Sequence, residues 1–178
     1  MILTPGNIAV ITGGPGAGKT TLCEQLAGKG ISIGSESGRA VLSRNGGHEL
    51  RQQDPLAYAL EILKLDIENF KAAHSGSERW LFDRGFADNA GFLDLMGLPI
   101  ADEVDQACRT YRYQGPVFIA PPWRDIYQQD DDRIQGWQEA KATYFAVKAA
   151  WERYGYDPVT LPKMSVEERA SFVLDRLA

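Results

Sequence analysis

The sequence predicts a three-layer α/β fold: a parallel five-stranded sheet flanked by helices, with a small lid segment. Two observations carry this. Short apolar runs that read as buried strands alternate along the chain with longer helical segments, the pattern that produces parallel sheets with right-handed crossovers. The first run, Ile8-Ala9-Val10-Ile11-Thr12, passes directly into Gly13-Gly14-Pro15-Gly16-Ala17-Gly18-Lys19-Thr20 and then into a helical stretch.

That second segment fits G-x-x-x-x-G-K-[ST], the P-loop pattern, and sits at a strand-to-helix turn where the mechanism requires it. Successive backbone N–H groups and the positive helix end can surround a phosphate there. Gly13, Gly14, Pro15, Gly16, Ala17, Gly18, Lys19, Thr20 and Thr21 are therefore the expected nucleotide-phosphate residues. Lys19 supplies charge at the β- and γ-phosphates, and Thr20 offers a hydroxyl to Mg²⁺. The fold class sharpens accordingly to a three-layer P-loop NTPase fold.

The other elements follow in order. The first helix covers Thr21 to Ala27 and stops at Gly28 and Gly30. Ile31 to Ser35 is a second, weak strand, with Glu36 at its C-terminal end. Arg39 to Ser43 opens a short helix, which Asn45-Gly46-Gly47 breaks. Asp54-Pro55 is an N-cap with proline in the first turn. The helix it opens carries Leu56, Leu60, Leu63, Ile67 and Phe70 at spacings of three or four, a stripe expected to pack in the core, and ends near His74 to Gly76. Arg79 to Phe82 is a buried strand ending at Asp83-Arg84-Gly85.

Two short helices follow over Ala87 to Met96 and Asp102 to Tyr111, then a strand over Gly115 to Ala120. Pro121-Pro122 stop it, and the segment to Gln135 is polar and poorly periodic, giving an expected lid over about 121–136. A long helix from Gly136 to Tyr154 has an apolar stripe of Trp137, Ala140, Tyr144, Val147, Trp151 and Tyr154. Tyr156 to Leu161 is the last strand, and Ser165-Val166-Glu167-Glu168 is a capping box for the terminal helix.

In such sheets ligands bind beyond the C-terminal strand ends. This rule collects the candidate chemistry at one edge. Asp83 ends an apolar strand as a Walker-B acid does and can hold Mg²⁺ or orient an acceptor hydroxyl; Arg84 can neutralise phosphate charge. The alternative is a turn-forming Asp with a solvated Arg. Glu36 is either a general base for a substrate hydroxyl or a solvated loop carboxylate. Arg39 and Asp88 carry weaker signals, the latter because first-turn acids are common for dipole reasons alone. Arg124 and Arg133 bracket the polar segment and could bring charge onto the phosphates as a lid closes. They could equally join Asp130, Asp131 and Asp132 in a solvated cluster. Trp123 could stack on a ring or pack under the lid.

At 178 residues the chain reads as one domain over 1–178. A net charge of −5 argues against broad nucleic-acid or membrane-surface binding. Only Cys23 and Cys108 are present, which suits a reducing cytoplasm, and His48 and His74 lie too far apart in sequence to suggest a metal cluster. No run is long enough to span a bilayer. The expected oligomeric state is a monomer or small homo-oligomer.

Together GGPGAGKTTL (13–22), SESGRA (35–40), FDRGFAD (82–88), PPWRDIYQQDDDR (121–133) and GYDPVTLPKMSVEER (155–169) resemble the small P-loop kinase-like ATPases. This AAA-type group includes ribosylnicotinamide kinase domains and is related to nucleoside and nucleotide kinases. The resemblance implies ATP or another nucleoside triphosphate with Mg²⁺, and an acceptor loop near Glu36 and Asp83. In related nucleoside kinases an acid after the second strand acts as base and a D-R pair follows the third; Glu36, Asp83 and Arg84 match that layout. Room for the separate helical domain of AAA motors is lacking, as is a second sensor motif, so ring-forming motor activity is not expected. Three functions stay open: a kinase for a small-molecule acceptor, an NTP hydrolase, and a nucleotide sensor.

Overall fold

The computed structural model describes residues 8–74, 78–127 and 136–177. Five strands, β1 (Ile8–Gly13), β2 (Ser32–Gly34), β3 (Trp80–Asp83), β4 (Val117–Ala120) and β5 (Val159–Thr160), form one parallel sheet in the order β2-β3-β1-β4-β5. The described residues form eight α-helices: α1 (Lys19–Ala27), α2 (Ser37–Leu42), α3 (Gly47–Gln53), α4 (Pro55–His74), α5 (Phe86–Leu95), α6 (Asp102–Thr110), α7 (Trp137–Arg153) and α8 (Val166–Leu177). The expected fold class is the one observed.

Strand alternation builds the layers. Ile8 and Val10 join α4, α5, α6 and α7 in one apolar cluster, while Ala9 and Ile11 join α1 and α8 in the other. β1 is therefore buried on both faces, which is why it reads as a continuous apolar run. In register, Ile11 stands opposite Asp83 and Gly13 opposite Ala120. The ends of β1, β3 and β4 thus reach one edge together.

The caps read from the sequence are formed. The Ala57 N–H donates to Asp54 Oδ1 at 2.9 Å, and Ser165 and Glu168 exchange bonds at the start of α8. Helix α5 is buried along almost its whole length between α4 and α7. A β-carbon on Gly91 would come within 2.9 Å of the Val147 Cα, so only glycine permits this α5–α7 crossing.

Three local expectations need correction. Asn45-Gly46-Gly47 does not simply end a helix; it reverses the chain and starts α3, which the sequence reading lacked. Gly46 is left-handed with φ 77°, and a side chain at Gly47 would strike the Val41 carbonyl, so the pair is a hinge between two packed helices. Leu56 is 40% exposed rather than core. The buried stripe of α4 runs through Tyr58, Ala59, Leu63, Phe70 and Ala73, because α4 packs against α5 while a second face borders a cleft. The last strand is shorter than Tyr156–Leu161: the Tyr156 ring instead packs on Trp151, and its hydroxyl accepts from the Tyr113 N–H at 3.0 Å.

Candidate active site

The loop between β1 and α1 forms one end of a cleft of about 970 Å³ at the C-terminal edge of the sheet. Lys19 is buried, and its Nζ donates to the Gly14 carbonyl at 2.8 Å. Burial, with Arg84 nearby, pushes its ammonium down to about 8. A phosphate presented to this loop would exchange a carbonyl dipole for a full negative charge, so the lysine is primed for an anion. Two loop glycines permit close approach by other elements. A β-carbon on Gly14 would meet the Ala140 carbonyl of α7 at 2.3 Å. Gly18, left-handed at φ 75°, lies under Arg169 of α8, 2.8 Å from where a side chain would begin.

β3 delivers Asp83 and Arg84. Asp83 is 7% exposed, and its Oδ1 has no hydrogen-bond partner among the described residues. Burial pushes its carboxyl above the usual range, with Lys19 opposing. It borders a small recess shared with Thr20, Cys23 and Glu36.

Arg84 has a left-handed backbone, φ 74°, a conformation that costs a non-glycine residue about 1–3 kcal/mol. Its side chain shows what holds it there. Nε donates to Glu36 Oε1 at 3.1 Å, and one terminal nitrogen donates to the Gly13 carbonyl at 3.0 Å and to Asp88 Oδ1 at 3.1 Å. Burial disfavours the guanidinium charge, but Glu36, Asp88 and Asp83 outweigh it and raise its affinity for the proton. Burial likewise opposes charge on Glu36, yet Arg84 and Lys19 hold its carboxyl below the ordinary range. Glu36 is thus an ionised carboxylate in the cleft, also 3.6 Å from Arg39.

Asp88 does more than favour a helix dipole. Its Oδ1 receives the Thr12 hydroxyl and Arg84; its Oδ2 receives the Gly85 N–H at 3.2 Å and the Trp151 indole at 3.0 Å. With four donors engaged, Asp88 ties β1, the start of α5 and α7 together rather than presenting an oxygen to substrate.

Of the segment expected to form a lid, Trp123 borders the cleft, and Arg124 lies over the Trp137 ring at 5.2 Å. Arg133 and most of the segment around it lie outside the described residues. Among the described residues no three His, Cys, Asp or Glu side chains cluster to hold a metal, and no helix is long and apolar enough to cross a membrane. Both cysteines are buried and unbonded.

Sequence reasoning missed Arg169. It is 3% exposed, donates to the Ala17 carbonyl at 3.2 Å, and leaves Nε unpartnered. Burial lowers its affinity for the proton. Its helical position after the Ser165 cap was legible; its reach across to a loop 152 residues away was not. Arg169→Met, which keeps the length and removes the donors, is expected to weaken ATP binding by roughly tenfold, since a charged hydrogen bond contributes about 1.5–3 kcal/mol. Calorimetric titration with wild-type affinity would show that the tie is dispensable.

Solved structures of known proteins share the fold. Deoxyadenosine kinase from M. mycoides, solved with dCMP and a flexible dCDP, superposes with TM-score 0.71 at 16% identity, covering 96% of this chain and 98% of that one. Thymidylate kinase from Ehrlichia chaffeensis gives 0.65 at 17% identity, covering 98% and 100%. NadR protein in complex with NR gives 0.69 at 14% identity, covering 97% of this chain and 52% of that one. At these identities the likeness shows the fold alone, an architecture this chain shares with those kinases. No curated protein matches. The model of the AAA domain family matches residues 8–169, nearly the whole chain, and the chain belongs to that family.

Proposed function

We propose that the protein is a Mg²⁺-dependent phosphotransferase that moves the γ-phosphoryl group of ATP to a hydroxyl of a nucleoside-, nucleotide- or metabolite-type acceptor. The observation that carries this is the Glu36–Arg84 pair. It sits in the same cleft as Lys19, and the cleft continues past it between α2, α4 and α5. A hydrolase needs space for water only, whereas this extension is large enough for an organic acceptor. The kinase-like fold supports the same reading.

In this reading Gly13 to Thr21 hold the phosphates, and Lys19 neutralises the β- and γ-oxygens. Thr20 and Asp83 fit a hard divalent ion: one offers a hydroxyl, the other a buried carboxylate oxygen without a donor. Held there, such an ion would neutralise phosphate charge. Glu36 takes the proton of the acceptor hydroxyl. Arg84, fixed by Glu36 and Asp88, orients that base and faces the charge of the transferring group. Trp123 borders the cleft, and Arg124 beside it is the described candidate for further charge at the phosphates; Arg133 lies outside the described residues.

The test is an acceptor library assayed for ADP release, with a no-acceptor control. Glu36→Gln is expected to lower acceptor phosphorylation ~10²–10⁴-fold, the range of general-base catalysis, and to lower acceptor-free hydrolysis far less. Equal loss of both rates would assign Glu36 to Arg84 positioning alone. ADP release that no acceptor stimulates would favour the NTP hydrolase.

A further inference from the structure

A second polar cluster lies one residue further along two of the same elements. Glu36 and Asp88 bracket Arg84. Their immediate neighbours, Ser37 and Asn89, bracket Asp66 of α4: the Asn89 amide donates to Asp66 Oδ2 at 2.9 Å, and the Ser37 hydroxyl bonds the same carboxyl. All three border the cleft. The two clusters are thus offset by a single residue step, about 3.8 Å along each chain segment.

Asp66 has a different environment from the other acids. Glu36 and Asp88 each meet a guanidinium, whereas no ion pair joins Asp66 among the described residues. It lies inside the protein but keeps part of its surface towards the cleft. Burial pushes its carboxyl up to about 7. Ser37 and Asn89 are both buried, at 3% exposure each, so their donors fix the carboxyl rather than wander in solvent. Tyr58 and Ile62 precede Asp66 by two turns and one turn on the same face of α4, and Phe92 faces them from α5, its ring edge-to-face with Tyr58 at 5.4 Å. The result is an apolar wall with one oriented acceptor group, and an apolar site with a few placed polar groups fixes a ligand's orientation.

We infer that Asp66, oriented by Ser37 and Asn89, reads an O–H or N–H donor on the acceptor molecule, close to the hydroxyl that is phosphorylated. The inference rests on the kinase reading. Above about pH 7 the carboxyl is ionised, and a carboxylate held by two donors has only acceptor capacity left to offer, so the discrimination is read above that pH. An acceptor presenting a hydroxyl or amino group completes the cluster. One presenting a carbonyl oxygen sets lone pair against lone pair and leaves buried groups unpaired, which a site of this kind rejects. The recognised class is a compact polar molecule such as a nucleoside or sugar, with its donor either a ring hydroxyl or an exocyclic amino group.

The test separates these two sources. Wild-type chain is assayed with ATP and Mg²⁺ on adenosine against inosine and cytidine against uridine, which exchange amino for oxo. It is also assayed on each nucleoside against its 2′-deoxy and 3′-deoxy forms, which remove a hydroxyl. The expected preference for the donor-bearing member is about ten- to a hundredfold in kcat/KM, the range for leaving a buried partner unsatisfied. It appears in the amino/oxo pairs if the donor is an amine and in the deoxy pairs if it is a hydroxyl. Asp66→Asn puts an amide of the same size there, which can donate. For an amine donor it is expected to bring the amino/oxo ratio to within about threefold and to raise the absolute rate on the oxo member, whose carbonyl accepts from the amide. For a hydroxyl donor, Asp66→Ala, which leaves no polar atom there, is the variant expected to bring the hydroxy/deoxy ratio to within about threefold. A merely structural carboxylate would lower both members together.

Should Asp66→Asn not fold by circular dichroism, Asn89→Ala carries the same test, because it frees the carboxyl from its orientation and should also flatten the ratio. Phosphorylation with ratios that no variant moves, or nucleotide binding in calorimetry without phosphorylation of any panel member, overturns this inference and leaves the kinase reading standing. ADP release that no member of the wider acceptor library stimulates overturns both.

Discussion

Lys19→Ala is expected to abolish ATP turnover, with a loss of at least ~10²-fold in ADP release, the scale for removing one preorganised charge-stabilising donor. The physical reason is local. The ammonium is already desolvated and rests on a single carbonyl, so much of the cost of burying it is met in the fold before phosphate arrives. The fold itself should tolerate the change. The lysine is held below its ordinary titration range, down to about 8, which means that burial opposes its charge; removing it relieves that opposition, and the melting temperature should not fall. The same shift sets a pH dependence. Phosphate favours the charged form, so binding in wild type takes up a proton above about pH 8, and ATP affinity falls as pH rises through that value. Calorimetry in buffers of different ionisation enthalpy reads the proton uptake. Wild-type turnover in Lys19→Ala would remove the phosphate role from the loop.

Asp88→Ala should have the largest effect on stability. It strands the Thr12 hydroxyl, the Gly85 N–H, the Trp151 indole and one arm of Arg84 at once. Breaking a buried charged pair costs about 3–5 kcal/mol; since Glu36 still pairs with Arg84, we expect the lower end, about 3 kcal/mol by urea denaturation. Activity should fall as well, because Arg84 loses one of the contacts that hold its left-handed backbone. Asp88→Asn keeps an acceptor oxygen and should retain part of both. A loss below about 1 kcal/mol would mean that water replaces the carboxylate.

The parts of this site legible from sequence are those whose chemistry demands adjacency. The loop from Gly13 to Thr20 must be contiguous to wrap one phosphate, and Asp83-Arg84 is visible because it ends an apolar run. Glu36 was placed by the same strand-end logic. Parallel topology then brought the three together, as strand order predicts. Asp66 and Arg169 give no such signal, and Asp88 only a weak one, because their partners come from other elements: α4 to α5, α8 to the loop, α5 to α7 and β1. Nothing in a helical repeat announces a partner 152 positions away. Helix α3 was missed for the opposite reason. A glycine pair is a strong local stop signal, and here the tertiary packing of α3 on α4 overrode it.

The Trp151 indole, fully buried and bonded to the same carboxylate that steadies Arg84, also makes the molecule self-reporting. Indole emission depends on the field around the ring, and this N–H ends on the charge network that also holds Arg84. An anion settling on the loop is expected to change that field. The chain has four tryptophans and Trp123 borders the cleft, so the core signal is the part of the emission change that Trp151→Phe removes.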